Sequence, residues 1–514
     1  MGLASAALLL TVVLAPPHGL AHKEVAAWTW FHYYLGSKYF AELGYFTIYE
    51  QTVASERDRG GPLANPDVIR DLHTYERVGP EVLDTIERSP AWTDARWAEF
   101  QADLDSLRPE LSTIYWFDVL RDRGYNATPA WNTVAGWLTN ALSVQSGAHR
   151  RLLKAVDVAG LAAVLWVFLR VFGGVRTGLF LLAFWLFPAT GGRFLGTLIQ
   201  YDWFAVLCLA AAAAATGRRG WLGFLLGIAT AMRVFPVVFL GGALAWTTLQ
   251  LVDHRRLPAG TLRLAGGFLA ALVLAGVLGS IGPRGLDAWP EFADKIHVHN
   301  QHHRFGNARV GLAHALTGRG LGHAVPKEES RPGNLQRRTP ERIAVGAVLV
   351  LLLGMALRRR DELDATLLML VAFFVLSVAS RYYWTLLSLF VLLGVGEGRP
   401  RWKLVLGSAL ALLPSVLWYA HAPMHRSSWS DWVFFNQALT VLFAGALMAL
   451  IGSDVRASGG WRGWLRPFPS PGAAEASEVK ESQGERGGVH VYAAQAKPTL
   501  DAEIGRIGSP WAGN

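Results

Sequence analysis

Apolar and polar positions alternate along this chain on the scale of whole helices. Strongly apolar stretches fall at roughly 3–20, 155–172, 176–190, 197–215, 220–234, 236–252, 263–282, 342–357, 364–379, 382–397, 403–420 and 432–452. They run to roughly 15 to 21 residues, close to what an α-helix needs to cross about 30 Å of hydrocarbon. Their Ala/Leu/Val/Gly texture lacks the ten-residue alternation of an outer-membrane barrel. The pattern predicts an all-α polytopic membrane protein of about twelve spans. Residues 220 to 252 must hold two crossings, so half-length or tilted helices are expected to meet at Arg233-Val234-Phe235-Pro236.

Charge orders these spans. Arg170 with Arg176, Arg218 with Arg219, His254-Arg255-Arg256, Arg358-Arg359-Arg360, and Arg399 with Arg401 and Lys403 occupy every second loop, as cytoplasmic connections should. With twelve spans both termini are cytoplasmic, and the two long polar segments, 21–150 and 283–341, lie outside. The first run, 1–20, is read as a retained helix, because a secretory signal would carry a positive start; either choice leaves 21–150 outside. Residues 151–282 and 342–452 hold the remaining spans, and 453–514 is a cytoplasmic tail, disordered where Pro, Ser, Gly and Glu dominate. The net charge of +9 is dispersed among these loops, which argues against a nucleic-acid partner. The single Cys, Cys208, lies inside a span, so neither a disulfide nor a thiolate metal cluster is available.

The segment 21–150 reads as a large mixed outer domain rich in Trp and Tyr. A helix over 31–43 would put Tyr34, Lys38 and Glu42 on one stripe at spacing four, as an amphipathic interfacial anchor or as a source of site residues. Further on, Asp118 and Asp122 are four apart between Phe117 and Gly124, with Arg121 and Arg123 beside them. A solvated charged face and a pair of working carboxylates both fit that spacing. Asn126-Ala127-Thr128 is a glycosylation sequon.

The segment 283–341 carries His297, His299, His302, His303 and Arg304, then Asn307 to Leu312. No carboxylate or Cys completes a zinc-ligand spacing, so contact with phosphate oxygens is the expected role and no metal is assigned. Ionisable residues in or beside spans default to function. Asp157, Arg193, Asp202 within Gln200-Tyr201-Asp202-Trp203, Arg233, and Arg381 with Tyr382 all fall on the outer half, where some also suit structural ion pairs such as Asp202 with Arg233.

Four short motifs, in this order, resemble the C-type membrane glycosyltransferases, especially the polyprenyl-phosphate-mannose-dependent mannosyltransferases: Tyr33-Tyr34 through Gly44 to Tyr49, Arg233-Val234-Phe235-Pro236, Asn307 to Leu312, and Arg381-Tyr382-Tyr383-Trp384. The resemblance implies a multi-pass protein of the cell inner (cytoplasmic) membrane, with a periplasmic domain after the first helix. It implies inverting transfer of a sugar from a polyprenyl phosphate to a hydroxyl of a glycan, lipid or protein acceptor, with no cofactor. Lys38, Asp202, Arg233, His299, His302, Arg304, Arg381 and Tyr382 are then the donor-phosphate and substrate-binding candidates. That family places a catalytic Asp four or five residues before the first-loop tyrosines. Thr29 stands there in this chain, leaving Glu42, Asp118, Glu24 and His32 as candidates for the base, or a chain without transfer activity. The competing class is a lipid or glycolipid flippase, which should carry polar positions at mid-span and related halves.

Overall fold

The computed structural model of the chain describes residues 27–110, 112–187, 194, 197–302, 309–320, 323–324, 336–395, 401–421 and 429–466. Glu24, Arg193, His303, Arg304 and Asn307 lie outside the described residues, as do the first apolar run and nearly all of the tail. The chain divides into two units, Met1–Leu465 and Arg466–Asn514, and the fold described here is that of the first. It is mostly helical, with three two-stranded ladders.

The main helices are α1 (Ile48–Asp58), α2 (Asp94–Leu107), α3 (Thr113–Leu120), α4 (Pro129–Ala141), α5 (Gly147–Leu186), α6 (Asp202–Ala215), α7 (Arg219–Met232), α8 (Val237–His254), α9 (Thr261–Ser280), α10 (Ala288–His302), α11 (Thr339–Leu357), α12 (Glu362–Leu376), α13 (Arg401–His421) and α14 (Trp429–Ala457). Local chemistry sets several starts. Thr93, Thr128, Ser146 and Asp361 accept from backbone N–H groups of the first turns of α2, α4, α5 and α12, and Pro129 fills the first position of α4, where its missing N–H costs nothing. Gly173, at φ 77°, breaks α5 between the two apolar runs that the sequence separates.

Among the described residues, four helices are long and apolar enough to cross a membrane: Gly147–Leu186, Thr261–Ser280, Thr339–Leu357 and, within α14, Trp432–Ala457. Their outward faces leave large apolar side chains uncovered, among them Trp166, Leu269, Val273, Ile343, Leu351 and Val441. Water disfavours so wide an apolar surface, whereas lipid does not. The shorter helices sit inside this shell. In α12 nearly every residue from Glu362 to Phe374 is buried, and α6 is buried along most of its length. At 14 residues each, α6 and α7 reach only about 21 Å. Helices meet at Pro236 as expected, but only α7, at 14 residues, is short; α8 runs to 18. The run at 382–397 is not α-helical: Arg381–Leu392 is a 3₁₀ helix. Arg176 donates to the carbonyls of Val391, Leu393 and Gly394 at its end, at 2.5, 3.0 and 3.3 Å.

Two apolar cores result. One joins α5 to α8, α11 to α14 and the 3₁₀ segment. The other is built from 27–153 with Leu198, Ile199, Ala288 and Phe292. At its centre the chain runs as a π-helix over Trp30–Leu35, a turn over Gly36–Lys38, a break at Tyr39 and another turn over Phe40–Leu43. The expected amphipathic stripe is therefore buried rather than laid on a surface, with Tyr34 and Lys38 almost fully enclosed.

Helices α7 and α9 touch backbone to backbone. A Cβ on Gly223 would run into the carbonyl of Leu264, and one on Gly267 into that of Gly220. Small residues permit such approach between apolar helices. Gly223→Val should therefore cost about 1–3 kcal/mol or more through overpacking, whereas Gly266→Val, which faces open space, should cost far less. Thermal unfolding of both variants in detergent checks this, and equal losses would remove the close seam as the cause.

Candidate functional site

The two cores meet at Arg233. It ends α7 in an extended conformation (φ −145°, ψ 117°), which turns its side chain out of the helix path. Its Nη1 donates to Tyr33 Oη at 3.0 Å, and the guanidinium lies 4.9 Å from the Tyr33 ring centroid. Its Nε and Nη2 are buried with no hydrogen-bond partner. Asp202 opens α6 nearby. Its carboxylate is fixed by Trp131 Nε1 at 2.6 Å and by the Trp203 N–H at 2.7 Å. The expected Asp202–Arg233 ion pair is not formed at contact distance, so both groups keep unused capacity. Behind Asp202, Asp157 accepts the backbone N–H groups of Gln200 and Tyr201 and holds the entry to α6.

The segments carrying the four motifs converge here. Arg309–Val310 pairs antiparallel with Ala379–Ser380, which brings Arg309 beside the start of the Arg381–Leu392 helix. Arg309 Nη1 donates to Ser380 Oγ at 2.7 Å. The fully buried Asn436 clamps this ladder, its Oδ1 accepting from Gly311 N–H and its Nδ2 donating to the Arg309 carbonyl, both at 2.8 Å. Tyr383 packs edge-on against Phe235 at 4.7 Å and stacks with Tyr382 at 4.4 Å. Tyr382 lies within electrostatic range of both Arg309 and the Arg233–Tyr33 pair.

A second polar group lies on the other side of Tyr382. Helix α3 ends at Leu120, so Asp118 and Asp122 do not share a face: Asp118 is exposed, and Asp122 turns inward to accept from Trp28 Nε1 at 2.8 Å. Around Asp122 stand Arg70, Arg123, Lys295, His299 and Arg309, with Tyr75, Tyr49 and His32. Lys295 is fully buried and its Nζ has no hydrogen-bond partner; the rings of Tyr75 and Phe46 face it at 4.7 and 5.4 Å. Burial pushes its ammonium down to about 7 against the pull of Asp122 and Asp71, with Arg70 adding to the depression. Burial and the charges of Lys295, Arg309 and Arg123 push His299 down to about 3, so its ring is neutral near pH 7.

The remaining candidates are tied up elsewhere. Glu42 pairs with Arg96 at 2.9 Å, and Lys38 pairs with Asp103 at 2.6 Å and Glu99 at 2.7 Å. These side chains join the 30–43 segment to α2 and do not face Arg233. His32 is buried, with Nδ1 against the Trp28 carbonyl and Nε2 against Tyr49 Oη, both at 2.8 Å. Because the Trp28 carbonyl can only accept, the His32 proton sits on Nδ1 and Tyr49 Oη donates to Nε2; the ring positions its neighbours and has no free nitrogen for a substrate. The sequon residue Asn126 faces His299 Nδ1 at 3.2 Å rather than solvent. His297 is exposed beside Gln301, and the side chain of His302 lies outside the described residues. Lys295 and Asn436 carry no motif in the sequence, and Arg309 enters only within the Asn307–Leu312 motif, yet Ala288, Phe292, Lys295 and His299 repeat at helical spacing, the signal of one inward stripe.

Between α4, α5, α7 and α9 a cleft of about 200 Å³ leads to Asp202. Its lining is apolar, from Val134 and Val156 at the exposed rim to Trp131, Ala135, Ile199 and Ala275, which are buried. Comparison with protein-family models, with curated proteins and with solved structures gave no match.

Lys295 supplies a pH test. Its folded-state pKa lies below its ordinary value of 10.5, so the unfolded chain binds the extra proton between about pH 7 and pH 10.5, and stability from this group rises with pH across that window. Below it the penalty is complete. Lys295→Met should therefore be more stable than wild type by about 1–3 kcal/mol at pH 6 in phosphate-free buffer, with the gap closing toward pH 10. Melting curves at pH 6, 8 and 10 read this directly; a gap independent of pH would rule it out.

Proposed function

We propose that this protein is a membrane glycosyltransferase that moves a sugar from a polyprenyl-phosphate donor to an acceptor hydroxyl. The observation that carries the reading is the junction at Arg233: an apolar cleft bounded by two of the membrane-length helices ends at a fixed carboxylate, Asp202, beside a buried guanidinium with two unused donor atoms. A long apolar chain with a phosphate at its end matches that order of surfaces. Convergence of the four motif segments on the same place supports the reading further.

The chemistry follows from these groups. The acceptor oxygen attacks the anomeric carbon with inversion, its proton passes to a carboxylate, and the sugar–phosphate C–O bond breaks with the electron pair left on the phosphate. Arg233 Nε and Nη2 would bind that phosphate, and charge-assisted donors in a dry site stabilise the charge as it develops. Asp202, which lines the cleft, would take the proton; Glu42 is paired with Arg96 and Asp118 is exposed. In this reading twelve spans place 21–150 and 283–341 on the periplasmic side of the inner membrane, and the tail in the cytoplasm.

Two measurements test it. In purified protein supplied with polyprenyl-phosphate sugars, Asp202→Asn should lower turnover by roughly 100-fold or more with donor binding kept, since general-base catalysis is worth 10²–10⁴. Arg233→Gln should weaken donor binding roughly 10-fold or more, the size of a lost charge-assisted bond, while Glu42→Gln and Asp118→Asn should transfer normally. Binding of the lipid without transfer from any such donor would favour a flippase instead. For topology, Thr74→Cys in a Cys208→Ala background should react with an impermeant maleimide from outside, and Arg462→Cys only after permeabilisation. Labelling of both from one face would end the twelve-span arrangement.

A further inference from the structure

The Arg233 junction leaves the charge around Asp122 without a task. Arg123, Lys295 and Arg309 come from three separate segments, the loop after α3, the inward stripe of α10 and the ladder strand at 309–310. His299 lies within electrostatic range of all three. Each of the three carries a buried N–H donor atom with no partner: Arg123 Nε, Lys295 Nζ and Arg309 Nε. Compensation is thin. Asp122 is committed to Trp28 and makes no ion pair at contact distance. Asp71 spends its carboxylate on its own turn, on His73 N–H and Thr74 Oγ1. Arg70, the fourth cation, is satisfied by the Arg121 and Tyr75 carbonyls.

Structural packing alone does not account for this group. Buried cations are held in proteins by paired anions or by acceptors, and unpaired donors carry a desolvation cost. The Tyr75 and Phe46 rings offset part of the Lys295 charge but offer its N–H groups no acceptor in the plane of a lone pair. A neutral His299, bonded to Tyr75 Oη at 3.0 Å, adds polarity without adding charge. Gly124 borders the group: it adopts φ 69°, and a Cβ there would meet Leu72 Cδ1 at 2.7 Å and stand 3.3 Å from Lys295 Nζ. Two guanidinium groups and an ammonium with spare donors fit a tetrahedral oxyanion of high charge better than a carboxylate, because a phosphate offers three or more acceptor oxygens and up to two charges.

We infer that Arg123, Lys295 and Arg309 form a second buried oxyanion site, separate from Arg233, that takes a phosphate-type group. The site does not depend on the transferase reading. Its ligand is a phosphate monoester or inorganic phosphate reaching it from water, or the phosphate of a lipid headgroup.

The test uses the full-length protein in a non-ionic detergent without phosphate. Inorganic phosphate, pyrophosphate and short-chain phosphatidic acid are titrated separately by calorimetry, with chloride at equal ionic strength and short-chain phosphatidylcholine as controls. Saturable binding is expected for at least one of the three phosphates and for neither control. Binding of inorganic phosphate or pyrophosphate assigns a soluble source, and binding of phosphatidic acid alone assigns a lipid one. Lys295→Met and, as a second variant should the first not fold, Arg309→Gln should each weaken binding by roughly 10-fold or more, while Arg462→Gln, at an exposed position outside both sites, should leave that constant unchanged. No binding by a cooperatively melting wild type, or wild-type affinity in Lys295→Met and Arg309→Gln, would overturn the site. Equal weakening in Arg462→Gln would also overturn it, by placing the phosphate away from the three cations. Failure of sugar transfer with phosphate binding intact touches only the transferase reading.

Discussion

The hydrogen bond from Arg233 to Tyr33 joins the two hydrophobic cores of this protein. Arg233 belongs to the helical bundle and Tyr33 to the aromatic core of the first 150 residues, so neither core encloses the charge by itself. Met232 packs against both cores one residue earlier. A guanidinium held at such a boundary is dry enough to interact strongly, yet it keeps two donor atoms free because no carboxylate reaches it. An ion pair with Asp202 would have satisfied the charge and closed the site. Instead Trp131 and the Trp203 N–H take the Asp202 oxygens; Asp202 lines the apolar cleft, and Arg233 lies within its electrostatic range.

The bundle was readable because each helix leaves a local mark. Apolar length marked α5, α9, α11 and α14, and the gap between the runs at 155–172 and 176–190 marked the break in α5. Pro236 marked the meeting of α7 and α8. None of this requires knowing which residues meet. The same local reading did not reveal that Arg381–Leu392 is 3₁₀, since the hydrogen bonds to its final carbonyls come from Arg176, some 215 residues away in sequence. Nor did it separate a helix lying on a membrane from one buried in a core. The stripe Tyr34, Lys38, Glu42 has the period of either, and the difference is made by Asp103, Glu99 and Arg96, which reach it from α2.

The candidate site was legible in part for a related reason. Motif residues that act through the backbone or through rings, Tyr33, Phe235, Tyr382 and Tyr383, meet as their order in the chain suggested. The carboxylates did not, because their direction depends on where a helix stops. Had α3 continued two residues beyond Leu120, Asp118 and Asp122 would have shared a face; ending there, it leaves one in solvent and turns the other inward. Lys295 was hidden by its residue type, since a lysine next to Asp294 and just before the His-rich run reads as solvated until the stripe Ala288, Phe292, Lys295, His299 is counted.

That stripe explains how a charge so poorly compensated stays buried. Arg284 and Glu291 pair at 2.8 Å at the start of α10 and fasten it to the first core, Arg284 reaching the Ala41 carbonyl and Glu291 the Tyr45 N–H. Ala288 and Phe292 then bury their side chains in that core. With the first two turns anchored, the helical repeat gives Lys295 no other direction to face. The favourable burial of the neighbours offsets the unfavourable burial of the ammonium, which is how proteins hold strained or uncompensated groups at places where a ligand supplies what is missing. The same logic applies on the bundle side, where Asn436 fixes the strand that carries Arg309 from a helix more than 120 residues later. Each cation is thus held by a rigid element whose own packing does not depend on it. Removing the charge would leave the helix and strand in place, and so the arrangement is suited to binding rather than to holding the fold together.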